Sequence, residues 1–307
     1  MSAEAANSGE GGGVRSFRAV TIGGGDVAPV TVGDGSLALI GGPCVIEGES
    51  LALRVAERLK RETAALGIGL IYKSSYAKEN RGTERNYRGP GMNEGLAILE
   101  KVRREIGVPV LSDVHAETEI PAAAAVLDVI QIPAYLCQQT GLVLAAAATG
   151  RAVNVKKGQF LAPESMAGVV SKVESTGNRR LLLTERGSCF GYNRLVCDYR
   201  ALPIMRALGY PVVFDATHII RLYGIPSSDP RGGEPEYAPM LARAAVAAGT
   251  DAVFIETHPE PSRALCDAAS MLALDTMPRL LGELAAIHDA VRGMTGATRF
   301  HGPAISG

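Results

Sequence analysis

The 307-residue chain has no uninterrupted apolar run of the ~18–20 residues that span a bilayer; Ala122 to Leu127 and Leu142 to Ala148 are short and alanine-rich. It has no excess of one charge, because 31 basic against 32 acidic residues leave a formal net charge of -1. That excludes the global positive field used in nucleic-acid binding and makes any anion recognition local. No charged-then-apolar leader opens the sequence. Its five cysteines, Cys44, Cys137, Cys189, Cys197 and Cys266, are an odd number without paired spacing. These absences imply a soluble protein in a reducing, cytoplasmic setting. Nucleotide signatures are missing too: Gly23-Gly24-Gly25-Asp26 lacks the flanking strand and helix of a dinucleotide-binding turn, and no Gly-x-x-x-x-Gly-Lys-Ser/Thr loop occurs.

What is present is 47% hydrophobic and 21% charged, with 36 glycines and 17 prolines, a composition that fits one large globular domain or two modest ones. Residues 1–14 are small, polar and glycine-rich and are expected to form a disordered tail. Phe17 to Ile22 and Val27 to Val32 predict a β-hairpin, over 15–34, capping one end of the main domain. A barrel domain over 35–292 and a C-terminal tail over 293–307 complete the expected organisation.

From Leu37 the chain alternates strand and helix with a repeat of about 30 residues. Strand-like runs are Leu37–Ile40, Gly69–Lys73, Pro109–Ser112, Val129–Ile132, Ala152–Val155, Leu181–Thr184, Pro211–Phe214 and Ala252–Ile255. Between them, Leu96, Leu99, Val102 and Ile106 recur at helical spacing, as do Met166, Val169, Val170 and Val173. Asn93 is expected to start one helix, and the last runs over about Thr276 to Arg292. Gly107, Gly150, Gly177, Gly209 and Gly249 each sit just before the next strand, where a helix C-terminus favours glycine. Eight strands alternating with helices predict an α/β fold, a parallel (β/α)8 TIM barrel, with a doubly wound open sheet as the alternative.

Polar residues collect at the C-terminal ends of those strands: Cys44 and Glu47, Lys73 and Ser75, Asp113 and His115, Gln131 and Ala134, Lys156 with Gln159, Glu185-Arg186, Asp215 and His218, Glu256 and His258. In a barrel these ends share one face, the face that carries active sites in this fold. Lys73, Lys78, Arg81, Lys156, Gln159 and Arg186 form a cationic and amide group suited to phosphate or carboxylate. Alternation along Val153-Asn154-Val155-Lys156-Lys157 turns Lys157 to the opposite face, as a structural ion-pair partner. Cys44, His218, Glu256 and Asp267 form a second group, because closure makes the first, seventh and eighth strands neighbours. Mixed sulfur, nitrogen and oxygen donors suit Zn²⁺, Fe²⁺, Mn²⁺ or a similar divalent ion; no close-spaced ligand pair occurs, and a free cysteine also packs as core.

These residues resemble 3-deoxy-D-manno-octulosonate 8-phosphate synthases from about Leu37 to Val291. The motifs are Gly-Pro-Cys44, Lys73-Ser-Ser75 with Lys78 and Asn80-Arg81, Tyr87-Arg88-Gly-Pro-Gly91, Asp113-Val-His115, Gln131-x-Pro-Ala134, Lys156-Lys157-Gly-Gln159-Phe160, Glu185-Arg186-Gly with Phe190-Gly-Tyr192, Asp215-Ala-Thr-His218 and Glu256-x-His-Pro. The resemblance implies a (β/α)8 barrel that condenses phosphoenolpyruvate with D-arabinose 5-phosphate, a step of lipopolysaccharide biosynthesis. It implies a cytoplasmic homotetramer. Phosphoenolpyruvate contacts are implied for Lys78, Lys156, Gln159 and Arg186, and further substrate contacts for Lys73, Ser75, Asn80, Arg81, Asp113, Gln131 and Ala134, Arg81 lying near the sugar phosphate and reaching a neighbouring subunit. Implied catalytic residues are Lys78, Asn80, His115, Lys156, His218 and Asp267. Cys44, where the metal-independent branch has asparagine, points to the metal-dependent branch, with His218, Glu256 and Asp267 completing the ligand set.

Three features depart from the family pattern: Gln138-Gln139-Thr140 in place of Arg-Gln-Thr, Gly82 in place of serine, and the loop from Tyr223 to Glu236. They bear on the sugar side of the site. A synthase for erythrose 4-phosphate and a non-catalytic anion-binding barrel are the alternatives.

Overall fold

A computed structural model describes residues 16–191, 193–226 and 229–294. The tail expected over 1–14, Tyr192, His301 and all but the first two residues of the tail expected over 293–307 lie outside them. A hairpin, β1 (Val20–Gly24) and β2 (Val27–Val32), precedes eight parallel strands: β3 (Ala38–Gly42), β4 (Gly69–Lys73), β5 (Val110–Asp113), β6 (Val129–Ile132), β7 (Ala152–Lys156), β8 (Leu181–Glu185), β11 (Val212–Asp215) and β12 (Ala252–His258). A short ribbon, β9 (Ser188–Cys189) and β10 (Leu195–Val196), and a last short strand, β13 (Leu272–Ala273), lie at the C-terminal ends. β12 pairs with β11 and also with β3, through Phe254↔Ile40, so the sheet closes on itself and the open-sheet alternative is excluded.

Helices α1 (Glu49–Ala64), α2 (Met92–Ile106), α3 (Ile120–Val126), α4 (Thr140–Ala148), α5 (Met166–Ser175), α6 (Ala201–Arg206), α7 (Ala238–Ala247) and α8 (Met277–Met294) surround the barrel. α2 buries Leu96, Leu99 and Val102, and α5 buries Met166, Val169, Val170 and Val173, the apolar faces expected from their spacing. The glycines at 107, 150, 177, 209 and 249 take φ between 71° and 93°, the left-handed conformation that ends a helix. Among the described residues, no helix is long and apolar enough to cross a membrane.

Most boundaries move by one or two residues, and three of the differences stand out. The hairpin's first strand begins at Val20 rather than Phe17, because Phe17 packs under the Arg206 guanidinium, 3.9 Å from its ring centre. Gly91, not Asn93, precedes the first turn of α2. β12 continues to His258 because Thr257 and His258 find partners in Leu272 and Ala273.

Val20, Ile22, Val30 and Val32 of the hairpin join Ala38, Ile40, Ile71, Leu111, Val129, Ala152, Leu182, Val213, Ala252 and Phe254 in one apolar column. The hairpin therefore plugs the N-terminal end of the barrel. At the other end, Gly42 (φ 155°) lies so close to β4 that a Cβ there would sit 2.1 Å from the Lys73 carbonyl oxygen. The strand leading to Cys44 needs glycine at that point. We expect Gly42→Ala to destabilise the protein by about 3 kcal/mol, through overpacking plus an unfavourable φ, measured by chemical denaturation. A loss within ~0.5 kcal/mol would mean the two strands separate freely there.

Candidate active site

At the barrel mouth, each of three buried lysines meets a carboxylate from another strand. Lys73 Nζ donates to Glu256 Oε1 at 2.5 Å and to the Cys44 carbonyl at 2.9 Å. Lys156 Nζ donates to Asp215 Oδ2 at 2.6 Å, and Lys78 Nζ stands 3.6 Å from Asp113 Oδ2. The Phe254 ring is the floor beneath them, with Lys156 Nζ 3.6 Å and Lys73 Nζ 5.5 Å from its centre. Burial lowers the Lys156 ammonium more than Asp215 raises it, whereas Asp113 and neighbouring acids hold Lys78 well above its ordinary value against the same penalty.

These lysines are thus not bare cations. Six cationic side chains, Lys73, Lys78, Arg81, Lys156, Arg186 and Arg221, share the mouth with four carboxylates, Asp113, Asp215, Glu256 and Asp267, which leaves two positive charges in surplus. A polyanion would complete that balance.

Gln159 Nε2 and Arg186 Nη1 both donate to the Tyr223 hydroxyl, at 2.6 Å and 2.9 Å. The hydroxyl oxygen occupies a position that suits an oxygen of a bound anion. Gln159 Oε1 is buried with no hydrogen-bond partner among the described residues. Tyr223 was not legible as a site residue, since it lies in a loop whose only signal is its departure from the family pattern.

His115 Nε2 lies 3.4 Å from Asp113 Oδ2 and Nδ1 3.9 Å from Glu119 Oε2; burial lowers the imidazole, but Asp113 and Glu119 raise it further. Ser75 Oγ donates to Asp113 Oδ1. Gln131 Oε1 accepts from Asn154 Nδ2 at 2.9 Å, and Ala134 is buried beside the mouth. Asn80 is exposed, and its Oδ1 accepts a 2.9 Å bond from Arg81 Nη2. Arg81 itself turns inward within its own chain, 3.0 Å from Cys266 Sγ and 3.5 Å from Asp267 Oδ1. Lys157 lies on the far side, buried, donating to Ser188 Oγ at 3.0 Å and 3.6 Å from Glu185 Oε2, the ion pair expected of it.

The second group also converges. Asp215 Oδ1 accepts the His218 N–H at 2.9 Å and its Oδ2 faces His218 Nδ1 at 2.8 Å, which leaves Nε2 pointing at Glu256 Oε2 (3.6 Å) and Asp267 Oδ2 (3.8 Å). Such a carboxylate behind the imidazole orients a metal-ligating histidine. Burial pulls His218 below its ordinary value, further than Asp215 raises it, so the ring stays neutral with a lone pair to give. Cys44 Sγ lies 3.4 Å from Asp267 Oδ2. Glu256 Oε2 is buried without a hydrogen-bond partner among the described residues, a carboxylate oxygen that a cation would satisfy. The donor set fits a divalent transition ion.

Residues 18–291 match the model of the DAHP synthetase I family. The chain belongs to the DAHP synthetase I family. It is 54% identical over 275 residues to "2-dehydro-3-deoxyphosphooctonate aldolase" of Geobacter sp. (strain M21), covering 89% of this chain and 98% of that protein. It is 55% identical over 256 residues to the protein of the same name from Pelobacter propionicus, covering 83% and 94%. Like these relatives, this DAHP synthetase I family member is an enzyme.

In this family member the Lys73–Glu256 pair couples the two groups. Burial alone would raise the Glu256 carboxyl, but Lys73, His218 and Lys78 outweigh it and hold it at about 2, against an ordinary 4.5. A group depressed on folding contributes its full stabilisation above about pH 4.5 and loses it as pH falls through about 2. In metal-free protein, Glu256→Gln should flatten the fall in urea-unfolding free energy across that window; an unchanged slope would remove Glu256 as its source. Lys73→Met strands a buried carboxylate and should cost about 3–5 kcal/mol at pH 7, measured the same way.

Proposed function

We propose that this enzyme condenses phosphoenolpyruvate with D-arabinose 5-phosphate and water, yielding 3-deoxy-D-manno-octulosonate 8-phosphate and inorganic phosphate. The observation that carries the reading is the surplus of two positive charges beside the Cys44, His218, Glu256 and Asp267 donor set at one barrel mouth, in which all but the partly exposed His218 are buried. The shared name of the relatives at 54% and 55% identity supports it.

In this reading, Lys78, Lys156, Gln159 and Arg186 hold the carboxylate and phosphate of phosphoenolpyruvate, and Lys73, Ser75, Asn80, Arg81, Asp113, Gln131 and Ala134 shape the remainder of the substrate site. C3 of phosphoenolpyruvate forms the new bond to the aldehyde carbon, water adds at C2, and phosphate departs by C–O cleavage. Lys78 and His115, both raised by Asp113 against the pull of burial, supply N–H donors to the oxygen that develops negative charge at the aldehyde. Phe254 beneath Lys156 keeps water from that flank of the pocket. Cys44, His218, Glu256 and Asp267 would hold a divalent ion, which would supply Lewis acidity to the condensation.

A cytoplasmic homotetramer completes the proposal. Tyr135, Phe160 and Phe190 are exposed on loops after β6, β7 and β8, which supports association through apolar contacts. Light scattering of the purified enzyme at four times the mass of one chain is the expected result.

Enzyme supplied with Mn²⁺, phosphoenolpyruvate and arabinose 5-phosphate is expected to release phosphate, and release with erythrose 4-phosphate instead would reassign the acceptor. Silence with every aldose phosphate, despite phosphoenolpyruvate binding, would favour the non-catalytic alternative. Chelation, like Cys44→Ala, should abolish turnover, and full activity in chelator would sink the metal centre. Tyr223→Phe removes the hydroxyl held by Gln159 and Arg186. Its KM for phosphoenolpyruvate should fall about threefold to tenfold, the equivalent of one competing hydrogen bond, and a rise in KM would make the hydroxyl a substrate contact instead.

A further inference from the structure

Cys266 precedes Asp267, whose φ of 48° is a left-handed conformation rarely taken by a residue other than glycine. That turn sends two consecutive side chains into the same site. Asp267 Oδ2 comes within 3.4 Å of Cys44 Sγ, and Cys266 Sγ within 2.9 Å of the same sulfur. Both cysteines are buried, at 0% and 2% exposure.

We propose that Cys266 is a second thiolate ligand of this metal centre, which gives the site two sulfurs and a preference for thiophilic ions such as Zn²⁺ over Mn²⁺ or Mg²⁺. The assignment rests on reading Cys44, His218, Glu256 and Asp267 as that centre.

Three observations carry it beyond the packing of two thiols. First, the sulfurs are closer than the ~3.5–4.0 Å at which unbonded heavy atoms rest. An ion at about 2.3 Å from each, with a sulfur–ion–sulfur angle of roughly 110°, would hold them ~3.7 Å apart, a displacement of less than ~1 Å. Second, a charged donor reaches into the apolar cluster that the two sulfurs share with Val45 and Met271: Arg81 Nη1 donates to Cys266 Sγ at 3.0 Å. Third, the unpartnered Glu256 Oε2 belongs to the His218, Glu256 and Asp267 cluster, which shares Asp267 with the Cys44, Cys266 and Asp267 cluster. The charges also close. Two thiolates, two carboxylates and a neutral imidazole around a divalent ion leave two negative charges, and Arg81 and Arg221 both stand against Asp267 to balance them. Softness of the two sulfurs then selects the ion.

The test uses the reduced, full-length chain loaded with one equivalent of Zn²⁺, with ion content measured per chain. X-ray absorption fine structure at the zinc edge should show two sulfur neighbours at about 2.3 Å. One sulfur per fully loaded zinc overturns the assignment of Cys266 while leaving the metal centre intact. In the Co²⁺ form, sulfur-to-cobalt charge-transfer absorbance per bound ion should fall to about half in Cys266→Ser and equally in Cys44→Ser. Full intensity in Cys266→Ser overturns the proposal. A wild-type chain that takes up neither Zn²⁺ nor Co²⁺ removes the metal centre itself, and the second thiolate with it.

Discussion

Lys73 and Glu256, each with a side chain 1% exposed, meet across the barrel's first strand, and the mouth depends on that contact. An ammonium so deeply placed requires an anion within reach. Here the anion comes from β12 and the cation from β4, with β3 between them. Lys156 on β7 repeats the pattern, reaching over β8 to Asp215 on β11. The Lys73–Glu256 pair spans the β12–β3 seam and does not exist until the sheet has closed, so its charge neutralisation and barrel closure are one event. The same pairs fix the carboxylates: Lys73 holds one oxygen of Glu256 and leaves the other turned toward His218.

Much of this was legible in the amino-acid order. The eight strands stand where runs such as Gly69–Lys73 and Val129–Ile132 place them, because buried parallel strands are short, apolar and punctuated by glycine. Strand ends were less legible. A run that stops being apolar reads as a loop, yet β12 keeps its ladder through Glu256, Thr257 and His258. Residue types at the mouth were legible from topology, since a barrel gathers its strand ends on one face.

Pairings were not. Asp215 stands beside His218 in the sequence, but nothing local marks it as the partner of a lysine 59 positions earlier. Arg81, a substrate contact by resemblance, also meets Asp267 and Cys266, which are brought near by a left-handed residue in a loop. Tyr223 is held by a backbone bond to Asn193 and by an Arg194–Glu234 ion pair that ties two loops together, a relation between segments that no single segment encodes. Each of these pairings is a contact over long sequence separation.

The hairpin at the barrel's lower end bears on how the chain is made. Val20, Ile22, Val30 and Val32 are among its first apolar residues, yet the surface that covers them is contributed by every barrel strand through Phe254 on β12. On a ribosome that surface does not exist until nearly all of the chain has emerged. Local hairpin pairing is fast, whereas docking waits for the most distant contacts in the fold. The opening segment is therefore a latch, set only when the barrel is whole.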